Sequence, residues 1–231
     1  MSADAETRLP LTRERVLQAA IVLADTAGIP ALTMRNLAQS LGVEAMSLYH
    51  HVANKNALLD GVVDMLVLEV EAEIGGFTVE PGVRDWMPVM RGRVLAARRV
   101  MLRHKWAPAL IETRTAMPAS LLRYFESMLG IFVEGGFSND LAHHAMHAMG
   151  SRFLGFDQEL FTPDAASAEG GNEQMLEDLA AHLPYLAAML AEVAHDDPDS
   201  TLGWCDDQSE FEFVLDILLE GLERRRLQQT G

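Results

Sequence analysis

Apolar residues recur along this chain at three- and four-residue intervals, the spacing of one helix face. Alternating runs rich in Val, Ile and Thr are absent. Val16, Ala19, Ala20, Leu23 and Ala27 share a face of a helix predicted over 12–28, with Thr12 as N-cap and Gly28 just past its end. A short helix follows from the Thr33 cap to Leu41, with Gly42 as its stop, and a third spans about 44–50. Asn54 caps a fourth over about 55–73, carrying Leu58, Val62, Met65, Leu66 and Glu69. The segment "GGFTVEPG" (75–82) then marks a turn between a small N-terminal unit and a larger C-terminal one.

The helical spacing resumes beyond it. Val83, Met87, Met90, Val94, Ala97 and Met101 form one stripe, and Pro108 and Pro118 frame a short segment. Leu121, Phe125, Met128, Leu129 and Phe132 predict a helix closed by Gly135 and Gly136. Ser138 caps another that carries Ala142, Ala145, Met146, Met149 and Phe153. Residues 163–173 read as a loop, 173–195 as a helix broken at Pro184, and 208–226 as a final helix. The fold class is therefore all-α, with nine or ten helices and no internal repeat.

Composition narrows the class. A length of 231 residues supports one large core or two small ones. No run of eighteen apolar residues is long enough to span a membrane, and the N-terminus lacks the basic-then-apolar pattern of a signal peptide. A lone cysteine, Cys205, leaves no internal disulfide and suits a reducing compartment, so the expected location is cytoplasmic. The net charge of −16 argues against nucleic acid only as a sum. Residues 1–60 are near neutral, with five basic and six acidic side chains. Residues 84–123 hold nine basic and two acidic, and residues 157–220 hold seventeen acidic and no basic. The front of the chain can approach DNA, while the acidic tract is a solvated face.

Helices two and three form a capped helix, a glycine turn and a second short helix, which is a helix-turn-helix. Leu37, Ala38, Leu41, Val43, Leu48 and Val52 can bury against the first and fourth helices. Arg35, Ala45, Met46, Ser47, Tyr49 and His50 are left for the outer face. The third helix is too short to be stable alone and must be held by its neighbours, as suits an element presented to a major groove.

The stretch "TMRNLAQSLGVEAMSLYHHVANKNALLD" resembles the DNA-binding segment of the TetR family of transcriptional repressors. The family pattern appears as Leu37-Ala38, Leu41-Gly42-Val43, Leu48-Tyr49, His51, Lys55 and Leu58-Leu59. "RVMLRHKWAPALIETR" and "MLGIFVEGGFSNDLAHHAMHAMGSRFLGF" are similar to the effector and dimerisation domain of the tetracycline-repressor subclass. The resemblance implies a helix-turn-helix domain over 1–56 and an all-α ligand-binding and dimerisation domain over 57–231.

It also implies roles. Thr33 caps the second helix so that its amides face a phosphate, and Arg35 reaches phosphate or a guanine edge. Tyr49 and Lys55 hold the backbone, while Ala45, Met46, Ser47 and His50 face the bases. His51 stands at a position that is structural in the family. Leu110 stands where the repressor has its magnesium-binding His, and Glu71 where it has a second drug-contacting His. Both point away from a magnesium–tetracycline effector and toward a more apolar one. The expected pocket draws on Trp86, Met90, Trp106, Leu110, Phe125, Met128 and His147, among thirteen Met that suit adaptable apolar surfaces. Two copies are expected to pair through helices 138–156 and 208–226. The partners expected are double-stranded operator DNA and a small-molecule effector, with no cofactor.

A rival reading uses His143 and His147, which sit i, i+4 on one helix face and could hold a metal as a sensor or an enzyme. No HExxH pattern or Cys pair completes that site, and no GxSxG or Walker loop supports catalysis. A helical binding protein that has lost DNA contact is a third reading.

Overall fold

In a computed structural model of the protein, residues 10–75, 85–155, 181–185, 187–188 and 207–229 are described. They contain nine α-helices and no strand. The order is α1 (Arg13–Ala27), a single 3-10 turn (Ile29–Ala31), α2 (Met34–Leu41), α3 (Ala45–Leu48), α4 (Lys55–Ile74), α5 (Trp86–Arg103), α6 (Ala107–Glu112), α7 (Ala119–Glu134), α8 (Asn139–Gly155) and α9 (Asp207–Gln229). Val83, the side chain of Phe153, the loop at 163–173 and Cys205 lie outside the described residues.

Local chemistry starts and stops these helices where the side chains allow it. Thr12, Thr33 and Asn54 each accept a hydrogen bond from the backbone N–H three residues on, at 3.2, 3.1 and 2.9 Å. Ser138 does the same for Leu141 at 3.2 Å. Gly42 ends α2 in the left-handed region (φ 65°), which a side chain would strain. The helix at 173–195 was expected to break at Pro184. Among its described residues the break falls at Leu183, the residue a proline pushes out of helical geometry.

The chain divides into two compact units, one to Leu154 and one from Gly155. The boundary expected at 56/57 falls inside the first of these units. A single core runs from Val16 and Leu17 of α1 through Leu37 and Leu48 to Val62, Val100 and Leu110. The reason is α4. It begins at Lys55, buries nine residues, and packs against α1, α5, α6 and α7. At the α1 crossing a Cβ on Gly61 would stand 2.8 Å from the Leu17 side chain, so glycine permits the approach. A second anchor is aromatic. Trp86, Phe132 and Phe137 meet at centroid distances of 4.8–5.6 Å and tie the start of α5 to the α7–α8 turn. Gly135 is required there, because its Cβ would fall 2.8 Å from that of Trp86.

In the second unit, α9 buries Phe211, Leu215, Leu219 and Leu222 and leaves Phe213 and Ile217 exposed. Val214 and Leu218 are half-buried beside that face, and Leu219 is buried on it.

Candidate nucleic-acid interface and effector groove

The helix-turn-helix is built from inside outward. Leu37, Ala38, Leu48 and Val52 are buried, and Leu41 and Val43 pack partly against the same core. α3 is a single helical turn, shorter than expected. It is continued by hydrogen bonds from the N–H of Tyr49 to Met46 and from those of His51 and Val52 to Leu48. So short an element holds its place because Leu48 is wholly buried beneath it.

Burying Leu48 turns the opposite face outward. Met46 is 72% exposed and Tyr49 43%, and Arg35, His50 and Lys55 are exposed as well. Ser47 is half-buried. Ala45 is drawn partly into the core, which leaves less of its methyl for a base edge than its assignment to the outer face implied. The Thr33 hydroxyl is taken up in capping α2, so it can position the α2 amides but has less freedom for a phosphate of its own. His51 is half-buried behind this surface.

Three arginines of the basic tract at 84–123 rest on carboxylates that α4 presents. Glu73 accepts from Arg99 at 3.1 Å and Arg103 at 2.8 Å, and Asp60 accepts from Arg114 at 3.1 Å. Hydrogen bonds from Arg103 and then Arg99 hold the Glu73 carboxyl below its ordinary range. Asp64 accepts from Ser120 at 2.5 Å.

At the end of α5 the buried His104 ring lies between two carboxylates, with Asp25 of α1 2.8 Å from Nδ1 and Glu69 of α4 2.8 Å from Nε2. Trp106 Nε1 donates to the same Asp25 oxygen at 2.7 Å. These contacts bind α1, α4 and α5 together. Their members are 35 and 79 residues apart, so no local pattern announces them. Glu69 on an otherwise apolar helix face was the one legible trace.

Between α7 and α8 opens a groove of about 800 Å³. Phe125, Leu129, Val133 and Met146 give it apolar walls, and Glu126, Asn139, His143 and His147 give it polar ones. Gly130 and Gly150 form part of its surface, and a Cβ on either meets nothing within 4 Å. The size and the mixed lining suit a drug-sized molecule.

Of the expected pocket residues, Phe125 and His147 line this groove. The others are placed elsewhere. Trp86 joins the aromatic anchor, Met90 and Met128 are core, and Leu110 packs in the core around α4. Trp106 is held by Asp25. Their apolar character serves packing, which is its commonest use. The His143 and His147 rings lie 4.5 Å apart, edge to face, as neighbours on the groove wall. Among the described residues no three or more His, Cys, Asp or Glu gather where they could hold a metal ion.

A helix-turn-helix with an exposed reading face, joined through one long helix to a grooved helical body, defines a DNA-binding regulator of the one-component type. Residues 16–62 match the tetR family of bacterial regulatory proteins, and residues 80–226 match the Tetracyclin repressor-like C-terminal domain. The chain belongs to the TetR family, whose members are transcriptional regulators and not enzymes.

The tetracycline repressor protein class D of Escherichia coli is 34% identical over 63% of this chain and 64% of its own length, so the chain spans somewhat less than two thirds of that relative. Apo ActR from Streptomyces coelicolor superposes with a TM-score of 0.72 at 25% identity, covering 96% of this chain and 99% of ActR. ActR in complex with actinorhodin gives 0.67 at 25% identity, over 94% and 99%.

Proposed function

We propose that this protein is a ligand-responsive transcriptional repressor that binds a palindromic operator as a homodimer and leaves it when a small, mostly apolar molecule occupies the effector domain. The observation that carries the reading is the helix-turn-helix itself. Four apolar side chains are buried beneath it, and Arg35, Met46, Tyr49, His50 and Lys55 stand together in solvent.

Tyr49 and Lys55 grip phosphates, Arg35 reaches phosphate or guanine, and the Thr33 cap orients the α2 amides. Met46, with Ala45, Ser47 and His50, faces the bases. An apolar reading face favours thymine methyl groups and leaves much of the specificity to half-site spacing. Pairing of two copies through 138–156 and 208–226 would set that spacing. The exposed Phe213 and Ile217 on α9 and the exposed Ala148 on α8 support this assignment. Such a protein works in the cytoplasm, where its operator is. No helix among the described residues is long and apolar enough to cross a membrane.

Release follows from α4. It packs on α1 at one end and on α5, α6 and α7 beyond, and His104 fastens the three-way junction. A ligand that prefers a different α7 position must carry α4 and the reading heads with it, and the dimer then misses one half-site. The class D relative is named for tetracycline, and the ActR structure holds actinorhodin; both support a small-molecule effector here.

Fluorescence anisotropy on the DNA upstream of the gene tests the reading. Specific, salt-sensitive binding is expected, and Tyr49→Ala with Lys55→Ala should weaken it about 100-fold. Specific binding of undiminished strength after both substitutions would count against it.

A further inference from the structure

We infer that Glu126 selects the charge of the ligand in the groove between α7 and α8, and that the effector is a flat, largely apolar molecule bearing a protonated amine. The inference rests on the ligand-responsive reading above and names the chemistry of that ligand. The groove holds about 800 Å³, and Glu126 is the one Asp, Glu, Lys or Arg among its lining residues. A single fixed charge on an otherwise neutral or apolar wall ranks ligands by the sign they carry.

Helix periodicity sorts the rest of the lining. On α8, Asn139, His143 and His147 recur every four residues and make a polar row about 12 Å long. Ala142, Met146 and Gly150 make an apolar row beside it. On α7, Gly130 follows Glu126 by one turn, and a Cβ on either Gly130 or Gly150 meets nothing within 4 Å. Bare backbone at these two places, with the Phe125 ring, admits the face of a planar ring system. The polar row then meets the edge of that ring system.

The carboxylates of α4 are already engaged: Glu73 by Arg99 and Arg103, Asp60 by Arg114, and Glu69 by His104. Glu126 has no such partner among the described residues. Counted from the turn at 135–138, Glu126 and Gly150 lie toward the far end of the groove, so the amine sits there and the ring body reaches back toward the turn. An anionic ligand would meet Glu126 on a chain whose net charge is −16. Pairing of two copies through Ala148 leaves this side of α8 free, because Ala148 stands about 200° round the helix from both Met146 and Gly150.

Three probes on one frame test this by calorimetry at physiological salt: 2-(aminomethyl)anthraquinone, anthraquinone-2-carboxamide and anthraquinone-2-carboxylate. The wild-type protein should bind the amine about fivefold more tightly than the amide, and the carboxylate about fivefold more weakly, the scale of one exposed charge pair. Glu126 is exposed, so Glu126→Gln leaves the packing intact and should bring the three probes to within about twofold of one another. Glu134→Gln removes an exposed α7 carboxylate outside the groove and should keep the full order, which separates Glu126 from the net charge of the chain. Gly150→Leu should weaken all three about tenfold. Equal binding of the three probes, binding of none, an order that survives Glu126→Gln or is lost in Glu134→Gln, or binding indifferent to Gly150→Leu each overturns the proposal. Operator affinity is read separately. A wild-type protein that binds no operator would sink the repressor reading, while the charge order stands or falls by these titrations.

Discussion

The helix-turn-helix and the effector domain are both packed from apolar helix faces, yet they relate to their own sequence differently. In the first, each chemical role follows from position on one short element. Once Leu48 is buried, Met46, Tyr49 and His50 have to face out. In the second, a residue's role depends on which distant helices come together around it. Met90 and Met128 have the same composition argument for a pocket as Met146, but only Met146 lies where α7 and α8 diverge. A reading face is a local property of a chain, whereas a cavity belongs to the gaps between its elements.

The largest test of that contrast is in the core. Met90 is wholly buried, so Met90→Ala should cost about 3 kcal/mol of stability, measured by chemical denaturation, with probe affinity little changed. A variant that kept its stability and lost probe binding would return Met90 to the pocket. Next comes the DNA face. Tyr49→Ala with Lys55→Ala should weaken operator binding about 100-fold, from two contacts of about 1–1.5 kcal/mol each, and leave the melting temperature nearly unchanged, because both side chains are exposed.

The groove gives a smaller and more selective effect. Gly130→Leu or Gly150→Leu should fill space without striking the protein, since a Cβ at either site meets nothing within 4 Å. Binding of a flat aromatic probe to the groove, read by calorimetry, should fall about tenfold and operator binding should persist. Glu73→Gln should have the least effect. Its pKa is lowered by Arg103 and Arg99, so its contribution exists above the ordinary carboxylate range and is lost as the pH falls through the folded-state value. The variant should therefore melt slightly lower than wild type at neutral pH, and the difference should vanish on acidification.

Much of the architecture was legible because its causes are local. Thr12, Thr33, Asn54 and Ser138 were readable as caps, since a hydroxyl or amide before an apolar-periodic run has one good use for its oxygen. Gly42 was readable as a stop for a comparable reason. The outward set of the helix-turn-helix followed from its inward set except at Ala45, which the core partly claims, and at Ser47, which is half-buried. The pocket residues were less legible. Trp86 and Leu110 are large and apolar, which suits a ligand wall and a core equally, and the sequence carries no term that separates the two.

What the chain determined by itself was the period and ends of its helices and the face that α2 and α3 turn to solvent, because these depend on neighbours three or four residues away. What only the tertiary structure decided was which side chains meet across long separations. Asp25 and Glu69 meet on His104, and the basic tract meets the acids of α4. Arg93 is carried into the interior, where Ser127 and the Tyr124 ring meet it. Charge along a sequence can be counted, but whether a charge is neutralised depends on a distance that only folding sets.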